Sequence, residues 1–379
     1  MLEVADILRA AGAEVCARLA VSPSQQRAVR AILECRTPAL GGEVFGCPKC
    51  GAFHYSYHSC GNRNCTKCHG QQTERWLTEQ RARLLACPYY LLTFTLPAQL
   101  RYLACRRPAL VYGILLKAAA ASVQKLCADP QWLGAQPSLL GVLHTWTRMM
   151  LLHPHAHFLV SAGGLSADGQ HWLWPKNPKF LVPVRALSVM FRAKVLDALQ
   201  QAGCPVPKEL WQNHKKWVVH AQHAGSGQKV LDYLGRYVFR IAITHSRLEQ
   251  LENGHVTFRY RDNKTQQLRR VRVSVQEFVR RFLQHVLPKG LPKVRHYGLG
   301  SSACRSRHAQ ALALLQKEPP PSQPPALSAA PLTQAAPPQA TPLCPHCGLA
   351  RLVRLGELPR LRSGLRWLSQ LLPSKKIPP

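Results

Sequence analysis

Acidic residues are scarce in this chain. Eighteen Asp and Glu stand against fifty Lys and Arg in 379 residues, leaving a formal charge of +32. That imbalance points to a polyanionic partner, and the 46% share of hydrophobic residues argues against a disordered basic tail. A folded chain this basic has nucleic acid as its leading partner, ahead of anionic lipid. A long uncharged apolar run is also missing. The most apolar stretch, PALVYGILLKAAAASV from Pro108, is broken by Lys117 and falls short of the roughly 20 residues a bilayer requires, so no membrane span is expected. The opening MLEVADILRA carries Glu3 and Asp6 where a secretion leader would be basic and then apolar, so a cytoplasmic protein is expected. No repeat of useful length is visible. Cysteine, by contrast, is plentiful. In a cytosolic chain, fourteen of them read as metal ligands and buried thiols and not as a disulfide framework.

Helical and strand patterns alternate along the chain, which predicts an α+β class. Ser22-Pro23 caps a helical run, QQRAVRAILECR. PYYLLTFTLP from Pro88 reads as a buried strand, 141–148 and 155–162 as further strands, and 108–128 and 185–202 as helices, the latter closed by Gly203. The predicted organisation is a helical and zinc-binding segment over 1–80, a catalytic segment over 81–316, a Pro/Ala-rich linker over 317–342 that cannot bury a core, and a basic tail over 343–379.

Residues 47–68 read CPKCGAFHYSYHSCGNRNCTKC. Two thiolates two residues apart can grip one side of a tetrahedral ion, so Cys47, Cys50, Cys65 and Cys68 are the expected ligands of a structural Zn²⁺ in a zinc ribbon. Cys60, His54, His58 and His69 are substitutes for any one of them. Lys49, Arg63, Lys67 and Arg75 make this ribbon a candidate DNA contact. Cys344 and Cys347 form half a site, which needs partners from elsewhere in the chain or from a second copy.

Residues 153–160 read HPHAHFLV. In a strand, side chains at i and i+2 share a face about 6.5 Å apart, so His155 and His157 can converge on one ion. Imidazole suits transition metals, and two neutral ligands leave positions open for a phosphate oxygen. His144 is the expected third ligand, because VLHTWT can fold back on HAHFLV as a hairpin; His153 and His220 compete for the role.

In GSGQKVLDYLGRYVFRIAI, residues 225–243, an apolar stripe at helical spacing sets Tyr233 and Tyr237 four apart along one edge. Lys229, Arg236 and Arg240 lie on the same helix, where a phosphate can use them. The plainer reading is a pair of amphipathic tyrosines flanking a core helix. The sharper one joins them to the histidines: a tyrosine hydroxyl attacks a phosphodiester that a divalent ion, Mg²⁺ or Mn²⁺, aligns.

With these motifs together, the chain resembles the HUH single-strand DNA transposases, and within them the two-tyrosine transposases of rolling-circle insertion sequences, the insertion-sequence ninety-one family. His155-Ala156-His157 looks like the family's metal motif and YLGRY at 233–237 like its tyrosine pair. SCGNRNC, YYLLTFTLP, LHTW, VTFRYRD and EFVRRFLQHVLPKGLPKVRHYGL look like family blocks in order, to about residue 310. The resemblance implies a ferredoxin-like HUH nuclease core behind an N-terminal zinc ribbon. It also implies transposition by nicking and joining single-stranded DNA through a 5′-phosphotyrosine, without a carboxylate triad. DNA is the implied partner, and a second copy of the chain is an admissible one.

Arg259, Arg261, Lys264, Arg269, Arg270, Arg272, Arg280 and Arg281, interleaved with Phe258, Tyr260, Phe278 and Phe282, suit a single-strand groove with stacking platforms. Three rival readings remain: a replication initiator or relaxase of the same chemistry, a non-catalytic zinc-dependent DNA-binding protein, and a metallohydrolase of some non-nucleic substrate.

Overall fold

The computed structural model describes residues 1–68, 76–177, 180–212, 217–225, 242–262, 265–317 and 342–361. Two helices open the chain, α1 (Val4–Arg18) and α2 (Pro23–Glu34). The predicted cap is present at α2: Ser22 Oγ accepts the Gln25 amide and Gln25 Oε1 accepts the Ser22 amide, a reciprocal pair that satisfies two otherwise orphaned donors. A short hairpin follows, β1 (Gly42–Gly46) and β2 (Phe53–Tyr57).

The central body is β3 (Tyr89–Thr95), α3 (Pro108–Ala128), β4 (Ser138–Trp146), β5 (Leu152–Ser161), α4 (Val184–Gln201) and β8 (Val219–Gly225), with a small ribbon of β6 (Gly164–Leu165) and β7 (Trp172–Leu173) between β5 and α4. With β12 (Val294–Gly298) added at one edge, the spatial order is β12-β4-β5-β3-β8, every neighbouring pair antiparallel. Leaving out this appended edge strand, this is a β-α-β-β-α-β unit with ferredoxin-like strand order, as expected.

The two faces of the sheet differ in kind because side chains alternate along a strand. Tyr90, Leu92 and Phe94 of β3, Leu139 and Leu143 of β4, and Ala156, Phe158 and Val160 of β5 face α3 and α4 and make the main core. Phe94 meets Phe158 and Phe191 edge-on, with ring centroids 5.7 and 5.0 Å apart. Helix α3 is long and apolar enough to cross a bilayer by composition, and its apolarity is used here against the sheet, with Val111, Leu115, Ala119 and Val123 buried. The other face carries Tyr89, Leu140, Val142 and Leu159, and α6 (Arg305–Lys317) covers part of it through Ala311 and Leu315.

A second core lies apart from the first. β9 (Leu248–Glu252), β10 (His255–Arg261) and β11 (Leu268–Ser274) form an antiparallel sheet whose inner face, Val256 and Phe258, packs on α5 (Val275–Leu283) and on Val4, Ile7, Leu8, Val29 and Ile32 of α1 and α2. Residues on either side of the boundary read at position 80 therefore share one core. The C-terminal strand β13 (Val353–Leu358) returns to pair with β1, giving the sheet β13-β1-β2.

Candidate active site and cysteine clusters

The β4–β5 hairpin sets His144 directly opposite His155, and alternation along β5 puts His157 on the same face. The ligand nitrogens of His144, His155 and His157 lie within 4.8 Å of one another. The ring of His155 is oriented by its own strand: Nδ1 lies 2.7 Å from the His153 carbonyl, which can only accept, so Nδ1 carries the proton and Nε2 presents its lone pair. His157 Nδ1 is held by Thr93 Oγ1 at 3.0 Å, from the neighbouring strand. Burial pushes His155 down to about 4, so it is a neutral donor near pH 7. Burial also lowers His153, with Arg101 contributing.

Behind the three rings stands an aromatic and basic layer that the sequence reading did not pick out. Trp146 stacks on His144 with centroids 5.0 Å apart, and Lys293 Nζ lies 5.0 Å from the Trp146 ring. Burial, with Arg63 nearby, pushes Lys293 down to about 7. The two competing histidines fall outside the cluster. His220 sits opposite Thr93 on β8, two strands from His157, and two inter-strand steps are about 9.6 Å. His153 lies at the far end of the row from His157.

The cysteines correct the sequence reading. Cys47, Cys50, Cys65 and Cys68 do not form one site. Cys65 and Cys68 join Cys35 and Cys60, whereas Cys47 and Cys50 join Cys344 and Cys347. The reason is topological: Cys47 and Cys50 lie in the β1–β2 turn, which points toward the returning C-terminal segment, while Cys35 follows α2 and lies against the loop carrying Cys60 to Cys68. A tetrahedral ion with bonds of about 2.3 Å sets its sulfurs about 3.8 Å apart. The Sγ–Sγ distances are 3.5 Å for Cys35–Cys68 and 3.6 Å for Cys60–Cys68, so this largely buried set of thiols, with Cys60 half-buried, fits a structural zinc ion. Cys35 has no near-neighbour cysteine in sequence, which is why spacing could not find it.

A scan of family models matches residues 7–96 to a "Transposase zinc-binding domain" and residues 139–307 to a family described as "Putative transposase". The Sinorhizobium fredii protein named "Putative transposase y4qJ" is 39% identical over 83% of this chain and 84% of its own length. The chain belongs to the insertion-sequence ninety-one family of transposases. The transposase for insertion sequence element IS801 of Pseudomonas savastanoi pv. phaseolicola is 30% identical over 73% of this chain and 70% of its own length. No solved structure matches.

DNA is therefore the transposase's partner, and its described basic residues divide between exposed ones and ones committed to contacts within the fold. Register pairs Arg259 with Arg270, Thr257 with Arg272, and Arg261 with Leu268, so four arginines share the outer face of the β10–β11 ribbon; Arg269, opposite Tyr260, is exposed on the other face at the ribbon's end. Arg270 is also paired with Glu249 at 2.7 Å. The expected stacking platforms are mostly absent: Phe258, Phe278 and Phe282 are buried in the second core because they fall on its inward faces, leaving Tyr260 partly exposed. Two expected DNA contacts in the cysteine loop are likewise committed to the fold. Arg63 donates to the carbonyls of Leu287, Pro288 and Leu291, and Lys67 pairs with Glu3 at 2.6 Å. Tyr233, Tyr237, Lys229, Arg236, Arg240 and Lys264, with His69 and Arg75, lie outside the described residues.

Proposed function

We propose that this transposase cuts and rejoins single-stranded DNA at element ends through a covalent 5′-phosphotyrosine, in rolling-circle transposition. The observation that carries the reading is the convergence of His144, His155 and His157 on one sheet face, with His155 kept neutral by burial and oriented by a backbone carbonyl. Three imidazoles with no carboxylate fit Mg²⁺ less well than Mn²⁺ or another first-row ion, and they leave positions for phosphate oxygens. An ion held there supplies positive charge to the scissile phosphate. Tyr233 or Tyr237 gives up its phenolic proton, its oxygen bonds to phosphorus, the P–O3′ bond breaks, and the 3′ oxygen takes up a proton. Attack by a 3′-OH on the phosphotyrosine reverses the exchange and joins strands.

The same sheet face offers a path for the strand. Leu159 is two residues from His157, and Leu140, four residues from His144, pairs with His296. Leu140, Leu159 and His296 line a cavity of about 640 Å³ together with Arg83, Arg295, Arg305 and His308. Nucleotides flanking the cut can thus follow one basic face.

The test is a labelled single-stranded oligonucleotide of the element's own end, incubated with Mn²⁺ or Mg²⁺ and run on a denaturing gel. A protein–DNA adduct is expected that requires the ion and disappears in the Tyr233→Phe/Tyr237→Phe double variant and in His157→Ala. Tight binding with no adduct under either ion would sink the reading in favour of a non-catalytic DNA-binding protein.

A further inference from the structure

The zinc-binding family match ends at residue 96, yet half of one cysteine cluster comes from beyond residue 340. Cys47 Sγ lies 3.6 Å from Cys347 Sγ, and Cys50 Sγ lies 3.7 Å from Cys344 Sγ, a contact between residues 294 positions apart. Both distances are near the edge of a thiolate tetrahedron, about 3.8 Å, and far from a disulfide's roughly 2.05 Å.

The backbone around the two pairs is built alike. In CPKCGA the Cys47 amide donates to the Ala52 carbonyl and the Gly51 amide to the Cys47 carbonyl, at 2.9 and 3.0 Å. In CPHCGLA the Cys344 amide donates to the Ala350 carbonyl and the Gly348 amide to the Cys344 carbonyl, each at 2.8 Å. Gly51 and Gly348 both take a left-handed conformation, φ 70° and 68°, that turns the chain back after the second sulfur and that a side chain would oppose. Two matching knuckles facing each other are the usual construction of a closed four-thiolate zinc site. Around them, β13 adds to β1 as a third strand, and Arg354 of β13 reaches Glu43 of β1 at 2.7 Å. His54 Nε2 lies 3.3 Å from Cys344 Sγ, where a ring N–H stabilises a metal-bound thiolate.

We infer that Cys47, Cys50, Cys344 and Cys347 hold a second structural zinc ion, separate from the Cys35/Cys60/Cys65/Cys68 site, and that this ion fastens the C-terminal segment to the N-terminal hairpin. The ribbon is thereby assembled from both ends of the chain. Cys50 is exposed and Cys347 half-exposed, whereas the Cys35 cluster is largely buried, so a chelator reaches the second ion first.

The full-length protein is purified in reducing buffer and its tightly bound zinc measured by elemental analysis. The Cys344→Ser/Cys347→Ser variant is expected to carry one zinc fewer per chain than its parent while keeping its unfolding transition. Independently, a protease site is introduced between residues 318 and 341 of the otherwise unchanged chain. After cleavage the tail is expected to co-elute with the body in gel filtration and to leave when a chelator removes zinc. Unchanged zinc content in the double variant overturns the inference. So does a cleaved tail that separates with zinc still fully bound, or one that stays through chelation and leaves only when a reductant is raised, which would mean a disulfide.

Discussion

At the scale of single residues, protonation and volume make the sharpest predictions. His285 is fully buried, its Nε2 3.0 Å from the Met150 carbonyl and its Nδ1 3.1 Å from Thr145 Oγ1, so both ring nitrogens are partnered and it is burial that disfavours the charged ring. Burial pushes it down to about 4. A depressed histidine stabilises the fold fully above its ordinary 6.5, and that contribution is lost as pH falls from 6.5 toward 4. Metal-loaded protein is therefore expected to lose up to about 3 kcal/mol over this window from His285 alone. Denaturant titrations at pH 7 and pH 5 check this: the His285→Gln variant should be less stable than the parent at pH 7 but show a shallower loss on acidification, and an equal slope would refute the assignment. Gly141 makes a steric case. A Cβ there would lie 2.7 Å from the ring of Phe158, which is fully buried and has no room to retreat. Gly141→Ala should cost about 1–3 kcal/mol in thermal or chemical unfolding.

At the scale of an element, the β10–β11 ribbon separates two roles that its composition mixes. Arg261 and Arg272 lie on the outer face, and Phe258 points into the second core. Replacing both arginines with Gln is expected to leave stability within about 0.5 kcal/mol, weaken DNA binding, and reduce the slope of log affinity against log salt by roughly 0.7 per lost phosphate contact on a single strand. Phe258→Ala should do the reverse in kind, costing about 3–5 kcal/mol of stability by opening a cavity and acting on DNA only through unfolding. Salt-dependent binding paired with melting curves distinguishes the two. A salt slope unchanged in the double arginine variant would remove this face from the DNA path.

At the scale of the whole molecule, the two cysteine clusters have unequal duties. Cys35, Cys65 and Cys68 belong to the core in which α1 and α2 meet α5 and the β9–β11 sheet, and Lys67 ties the same loop to α1. Cys65→Ser is accordingly expected to lower the global melting temperature strongly, because losing that ion loosens a core shared by both ends of the catalytic body. Loss of the other cluster should free the tail and leave that core intact. Calorimetry of the two variants side by side gives the comparison; equal losses would mean that the two sites do not differ in this way.

Much of this was legible in local pattern. Alternation marked β3, β4 and β5, a cap marked α2, and helical periodicity marked α3 and α4, because each of these preferences is a property of neighbouring residues and the backbone between them. The pairing of His144 with His155 followed from a short hairpin, where few registers exist. The cysteine partners did not follow. CxxC spacing says that two sulfurs can grip an ion, but not which other pair completes the shell, and the answer depended on a strand returning from beyond residue 350 and on a lone cysteine after α2. The same holds for Phe258, Phe278, Arg63 and Lys67. Their chemistry suits DNA equally well in sequence; the packing of α1, α2 and α5 against a distant sheet turned the two phenylalanines inward, while Arg63 and Lys67 are held by the Leu287, Pro288 and Leu291 carbonyls and by Glu3, contacts between segments that local preference does not encode.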